Sequence, residues 1–322
     1  MAKLMASWHL IGEPHAFAHN VFSFRSNTMA TSTALTTVEQ QQWLETVSAK
    51  VQPAITQTFA AGGPLGRRLK NFLHGTWLGH PLHPVLTDLP LGAWATALVL
   101  DSLEVTTGRP EFGRSAKTAI NVGLIGALGA AITGVTDWQH TEQRARRLGL
   151  LHGLLNTMAA ALYTTSLVQR QRRHRLAGRW LALLGFAVAS GAAYLGGDLV
   201  YGERLGVDHA ARDSGPGTFT PVLAAHELTE GQMRQVEVEG TPILLARHHG
   251  QVYALGETCS HFGGPLSEGT LEAGQVRCPW HGSCFALDEG RVVDGPATYP
   301  QPWFETRIQN GQIEIRTPRE RA

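Results

Sequence analysis

Four apolar stretches of helical length, Val85 to Leu103, Thr118 to Val135, Leu150 to Val168 and Trp180 to Val200, fill the middle of this 322-residue chain. Each is close to the ~20 residues that a helix needs to cross a bilayer. The stretches are rich in Gly, Ala, Ser and Thr, which let helices approach closely in lipid, and short basic loops separate them. They are not uniformly apolar: Asp88, Asp101, Asn121, Asp137, His152, Asn156 and Asp198 fall in or beside them. The mean hydropathy of the chain is only -0.10, so a soluble four-helix bundle stays open as the alternative. The preferred expectation is a multidomain chain whose residues 70–210 form an α-helical membrane bundle of four predicted spans, multi-pass in a bacterial inner membrane and in contact with lipid.

Residues 1–38 lack a sustained apolar period and are rich in Ser, Thr and Ala, which predicts disorder. No export signal is legible there, and Met29 would make a plausible start. Over 39–65 the apolar residues Trp43, Leu44, Val47, Val51, Ile55 and Phe59 recur every three to four positions, as in an amphipathic helix. Such a helix packs on its own domain or lies in a membrane interface.

Residues 203–217, ending in Asp-Ser-Gly-Pro-Gly, have the composition of a linker. Beyond it the pattern changes to short alternating or apolar runs divided by turn residues, the mark of an all-β domain over 218–317. Asn310-Gly311, between two such runs, is the strongest hairpin signal in the chain. Into this framework are set Cys259-Ser260-His261 and, sixteen residues later, Cys278-Pro279-Trp280-His281. Three cysteines cannot build a disulfide framework, and two of them sit in a spacing that suits metal ligation. Each loop offers one thiolate and one imidazole, so each loop reaches both irons of a two-iron cluster; a zinc site with the same donors is the alternative.

These loops resemble the Rieske family, through CSHFGGPL at 259–266, CPWHGSCF at 278–285 and DGPA at 294–297. The resemblance implies an all-β Rieske domain and a 2Fe-2S cluster held by Cys259, His261, Cys278 and His281. It also implies a subtype. Where cytochrome bc-type members have an extra pair of cysteines this chain has Gly264 and Trp280, and Phe285 replaces a hydrogen-bonding tyrosine, although Ser283 keeps the serine position. Fewer donors to the sulfurs mean a lower potential, as in the ferredoxins of ring-hydroxylating dioxygenases. By the same alignment Cys284 is not a ligand. Over roughly 70–210, HPLHPVLTDLPLGAW at 80–94, TDW at 136–138 and GGDLVYG at 196–202 resemble a family of predicted bacterial membrane domains of unknown function.

With four spans, His80, His83, Asp137, His140 and His209 fall on one face of the membrane, with His152 and Asp198 near the same helix ends and the β domain emerging there too. Ionisable groups at such places are functional candidates, and histidine is the usual protein ligand of b-type haem. His80, His83, His140, His152 and His209 are therefore candidates for a haem or quinone site; the plainer reading is that they cap helices and pair with each other. Basic residues number eight on each face, which decides nothing about orientation. The lack of an export signal and of a protecting disulfide favours a cytoplasmic β domain.

A net charge of +1 gives no sign of a nucleic-acid partner. The expected function is a membrane-anchored Rieske electron-transfer protein that passes single electrons to or from a redox partner protein, an oxygenase or a reductase. A redox or metal sensor signalling through the helices is the alternative. A catalytic Rieske oxygenase needs a further domain holding a mononuclear iron by two histidines and a carboxylate; five residues follow Thr317, so that domain is not expected.

Overall fold

The computed structural model describes residues 41–211 and 214–318. The expectations of disorder over 1–38 and of a start at Met29 lie outside the described residues. Six helices come first: α1 (Gln42–Ala61), α2 (Gly63–His74), α3 (Leu82–Thr107), α4 (Pro110–Trp138), α5 (Gln143–Gln171) and α6 (Arg175–Tyr201). Ten strands follow: β1 (Thr220–Ala224), β2 (Met233–Val238), β3 (Thr241–His248), β4 (Gln251–Gly256), β5 (Thr270–Glu272), β6 (Gln275–Arg277), β7 (Cys284–Ala286), β8 (Val292–Asp294), β9 (Trp303–Gln309) and β10 (Gln312–Arg316).

The four long helices form two antiparallel hairpins, α3–α4 and α5–α6, whose members touch closely along their length while the hairpins touch each other sparsely. They cover the four apolar stretches, but only α4 and α6, with mean hydropathies of 1.7 and 1.5, are long and apolar enough to cross a membrane by composition. The expectation of four spans is corrected to two such helices among the described residues. The reason lies in α3 and α5, which carry charge: Asp101 of α3 meets Arg170 of α5 through both carboxylate oxygens, and the two side chains are 7% and 5% exposed. Glu104, also buried, pairs with Arg175 and Arg179. Buried ions demand such partners.

The single amphipathic helix expected over 39–65 is two helices, broken at Gly62-Gly63, where Gly63 takes φ +54° and Pro64 starts the next first turn. The face that α1 buries is also not the expected one. Leu44, Ser48 and Gln52 point inward, whereas Trp43, Val47 and Val51 are exposed. Hydrogen bonding decides this: the Gln52 amide donates to the carbonyls of Trp138 (2.8 Å) and Thr141 (3.0 Å) at the end of α4.

The β domain contains a six-stranded sheet, in the order β1-β10-β9-β4-β3-β2, and a four-stranded sheet, β5-β6-β7-β8, all antiparallel. Strand β3 lies between two cores. Ile243 and Leu245 join one with Val252, Phe304 and Ile315; Leu244 and Ala246 join the other with Leu255, Val276 and Phe285. A period of two sends alternate residues to opposite faces, so an unbroken apolar run marks a strand buried on both sides. Each such leucine or isoleucine contributes ~1.5–3 kcal/mol. Asn310 and Gly311 have φ +52° and +75°, the two left-handed residues of a tight hairpin between β9 and β10.

Candidate metal centre

Two loops at one end of the β domain are built by the same device. After β4, the Cys259 N–H donates to the Gly264 carbonyl (2.9 Å) and the Gly263 N–H donates back to the Cys259 carbonyl (2.8 Å). Between β6 and β7, the Cys278 N–H donates to the Ser283 carbonyl (2.8 Å) and the Gly282 N–H to the Cys278 carbonyl (3.2 Å). Closing so tight a loop forces its fourth step into left-handed backbone, and Gly263 and Gly282 supply φ +78° and +77°. The closure turns peptide N–H groups inward: those of His261 and Phe262 toward the Cys259 sulfur, those of Trp280 and His281 toward the Cys278 sulfur. Hydrogen bonds of this kind favour thiolate.

The four expected ligands meet where the loops face each other. Cys259 and Cys278 are buried and free of any disulfide. Their shared hydrogen bond pushes the Cys259 thiol up and pulls Cys278 down to about 7, so the pair gives up its first proton readily. The His261 and His281 rings lie 5.0 Å apart, nearly perpendicular. Burial holds both imidazoles below the usual histidine range, and for His261 the neighbouring His281 adds to the effect. His261 Nδ1 is buried without any hydrogen-bond partner. A neutral imidazole nitrogen left bare beside two sulfurs that already receive N–H groups fits a metal cluster. The donors divide into a sulfur pair and an imidazole pair, the set that a two-iron centre with one thiolate-bound and one imidazole-bound iron would use.

The surroundings match the sequence alignment in detail. A Cβ on Gly264 would come within 2.9 Å of both the Cys278 sulfur and the Trp280 ring, so the two positions aligned with extra cysteines do face each other. Phe285 is fully buried under the loops. Ser283 Oγ accepts from the Ala297 N–H (3.0 Å), tying the 294–297 loop to the site. Cys284 Sγ instead donates to Gln275 (3.2 Å) across the sheet.

Two residues escaped the sequence reading. Gln301, fully buried, donates to the carbonyls of Gly256 (2.9 Å) and Thr258 (2.5 Å) and accepts from the Ser260 N–H (3.2 Å), bracing the first loop. His74 ends α2 and is 1% exposed; its Nδ1 lies 2.7 Å from Asp137 Oδ1 and its ring 5.4 Å from that of His140. His140 in turn stands 5.9 Å from both His261 and His281. Helix α2 also grips the 294–297 loop: Asn71 accepts the Gly295 N–H (3.1 Å), and Lys70 lies 3.8 Å from Asp294.

The five candidate histidines do not form one site. His140 and His209 stand at the cluster loops, the latter donating its N–H to the Ser260 carbonyl (3.1 Å) and packing on Phe262. His83 and His152 face each other between the hairpins. His80 is exposed, at a cleft of about 540 Å³ shared with Asp88 and Tyr299.

Residues 218–306 match the family model of the Rieske 2Fe-2S domain, and residues 79–209 that of a predicted membrane protein (DUF2231). The Rieske match extends to whole proteins: ferredoxin CarAc of Metapseudomonas resinovorans is 35% identical over 95 residues, which are 29% of this chain and 89% of the relative. The chain belongs to the Rieske family. Apoptosis-inducing factor 3 of Homo sapiens is 35% identical over 118 residues, which are 37% of this chain, so the chain spans only 20% of that relative's length. Among solved structures, the complex of reduced oxygenase and oxidised ferredoxin in carbazole 1,9a-dioxygenase matches at 33% identity and TM-score 0.30, over 30% of this chain and 92% of that one. The Rieske domain here thus follows a helical region of a second family, and a 2Fe-2S cluster is its cofactor.

Proposed function

We propose that this protein is a membrane-anchored Rieske electron carrier, with Cys259, His261, Cys278 and His281 as the cluster ligands. The observation that carries the assignment is the buried, unpartnered Nδ1 of His261, set with the His281 ring opposite two sulfurs that receive inward-turned N–H groups. When bound, the cluster supplies a one-electron couple whose potential is raised by imidazole in place of thiolate. The chain's own residues position and shield it. The closed loops with Gly263 and Gly282 fix the sulfurs, Gln301 holds the first loop, and Ser283 ties down the 294–297 loop. His140 covers the imidazole edge from the helical side.

Anchoring in the membrane is supported by α4 and α6 and by the apolar outer surface of the hairpins, where Ile125 is 72%, Leu128 64% and Trp180 63% exposed. A surface of that kind suits lipid and not water. The partner in this reading is an oxygenase or reductase that exchanges single electrons with the Rieske domain on the cytoplasmic side. Full-length protein purified in detergent should carry about two irons and two sulfides per chain and a Rieske-type paramagnetic resonance signal on reduction. Iron bound without that signal, or a signal that survives Cys278→Ser, would remove the assignment.

A further inference from the structure

His83, in the first turn of α3, and His152, in α5, have matching surroundings in their two hairpins. His83 Nδ1 lies 2.8 Å from the Ala130 carbonyl oxygen on α4, and a Cβ on Gly134, four residues on, would meet the ring at 2.8 Å. His152 Nδ1 lies 2.8 Å from the Ala192 carbonyl oxygen on α6, and a Cβ on Gly196, again four residues on, would meet the ring at 3.1 Å. Each imidazole therefore backs onto a glycine that leaves it room and donates its Nδ1 proton to a carbonyl one turn earlier. A nitrogen that donates to a carbonyl carries the hydrogen, so Nε2 is left with the lone pair in both rings. The Asn156 amide donates to His152 Nε2 (3.1 Å), which marks that atom as the acceptor; this contact holds the lone pair in the unliganded protein and is given up to the backbone carbonyl of His152 (3.0 Å) when the atom takes a metal. This tautomer, fixed by a backbone carbonyl, is that of a metal-ligating histidine.

The spacing of the rings points the same way. Their centroids are 6.3 Å apart and their planes 84° from each other. With metal–nitrogen bonds of about 2.0–2.1 Å and about 1.1 Å from ring centre to nitrogen, two imidazoles on opposite sides of one ion have centroids ~6.3 Å apart. A bare ion would need further protein ligands, and among the described residues no third His, Cys, Asp or Glu joins the pair. A porphyrin brings four in-plane nitrogens and leaves two axial positions, one for each hairpin. The pair also spans the seam between the hairpins, at the end remote from the Trp94–Tyr163 stack and the Asp101–Arg170 pair that close it.

We propose that His83 and His152 are the axial ligands of a b-type haem held between the hairpins. Its link to the Rieske domain, which rests on the cluster reading above, runs through short steps. From Gly134, beside His83, the next turn of α4 brings Asp137, which holds His74; His74 faces His140, and His140 faces His261 and His281. The step joining the two groups is transfer of one electron: ferrous haem iron becomes ferric as the oxidised cluster is reduced, and no bond forms or breaks.

The test is titration of the full-length protein in detergent with haemin (iron protoporphyrin IX), read by absorption and by pyridine haemochrome, with the cluster's paramagnetic resonance signal recorded on the same sample. Wild type should bind one haem per chain with a low-spin, six-coordinate spectrum. His83→Ala and His152→Ala should each weaken binding at least tenfold and give a high-spin spectrum that added imidazole restores, while the cluster signal persists. His152→Met keeps an axial donor and should retain haem with a shifted spectrum. A wild type without a saturable haemin site, or variants that bind haemin with the wild-type spectrum, would overturn the proposal. Haem binding in a protein that lacks the Rieske signal would uphold this site and remove the cluster reading instead.

Discussion

The β domain and the helical region each bring together histidines from separate segments, and they do so by opposite means. In the Rieske domain the imidazoles ride on two short loops, each closed on itself by backbone hydrogen bonds between residues four and five apart and by a left-handed glycine. In the helical region His83 and His152 are 69 positions apart in the numbering, and their relation depends on how whole helices pack. The first kind of site is written locally and tolerates little change within its own loop. The second depends on long-range packing, so distant substitutions can shift it.

The largest effect should follow from cutting into the local site. Cys278→Ser should abolish the cluster outright, read as loss of iron, sulfide and the resonance signal, while α-helical circular dichroism is retained. If helicity were lost as well, the two regions would not be independent in the way the comparison holds. A step smaller, His281→Cys should leave iron bound but restore thiolate charge, lowering the midpoint by on the order of 200 mV toward the ~-400 mV of all-cysteine two-iron ferredoxins. The unaltered protein should sit near the low end of the Rieske range, about -150 mV, because Phe285 brings no hydroxyl to the cluster. A midpoint above about +200 mV would show that the loop chemistry had been misread.

Asp101→Asn probes the long-range region. It leaves the Arg170 guanidinium buried without its carboxylate, so the helical region should lose on the order of 3 kcal/mol of unfolding free energy, while the cluster's spectrum is unchanged. Equal loss of cluster and helix would erase the contrast.

The smallest effect concerns the seam between the regions. Burial, with a contribution from Lys70, lowers the His74 pKa to about 3, against an ordinary value of about 6.5 in the unfolded chain. Between those values the unfolded state binds more protons, so stability rises with pH there and falls as the solution is acidified from about 6.5 toward about 3. His74→Asn should flatten that dependence in thermal unfolding followed by near-ultraviolet circular dichroism. An unaltered acid slope would mean that His74 does not report the seam.

What could be read from sequence follows the same division. The strands of the β domain were legible because period-two runs and turn residues act over a few positions; the Asn310-Gly311 signal does stand at the hairpin between β9 and β10. The two cysteine–histidine loops were legible for the same reason. Gln301 was not, because a polar residue bracing a loop 41 positions away leaves no periodic trace. His74 was missed because its role comes from Asp137, 63 positions on, and such a pairing leaves no local trace. The four apolar stretches did become helices, but apolarity alone misjudged α3 and α5: Asp101 of α3 is answered by Arg170 of α5, and Glu104 of α3 by Arg175 and Arg179 of α6.

The grip of α2 on the 294–297 loop, with His74 and His140 behind it, also bears on how the protein is manufactured. The imidazole side of the metal centre is roofed by segments made earlier in synthesis than the loops it covers. A scaffold protein delivering iron and sulfide must reach those loops before the roof settles, or must wait for it to lift. The chain's order of emergence thus sets a time window for loading, and a newly made protein that closes before it is loaded would carry an empty centre behind a shut door.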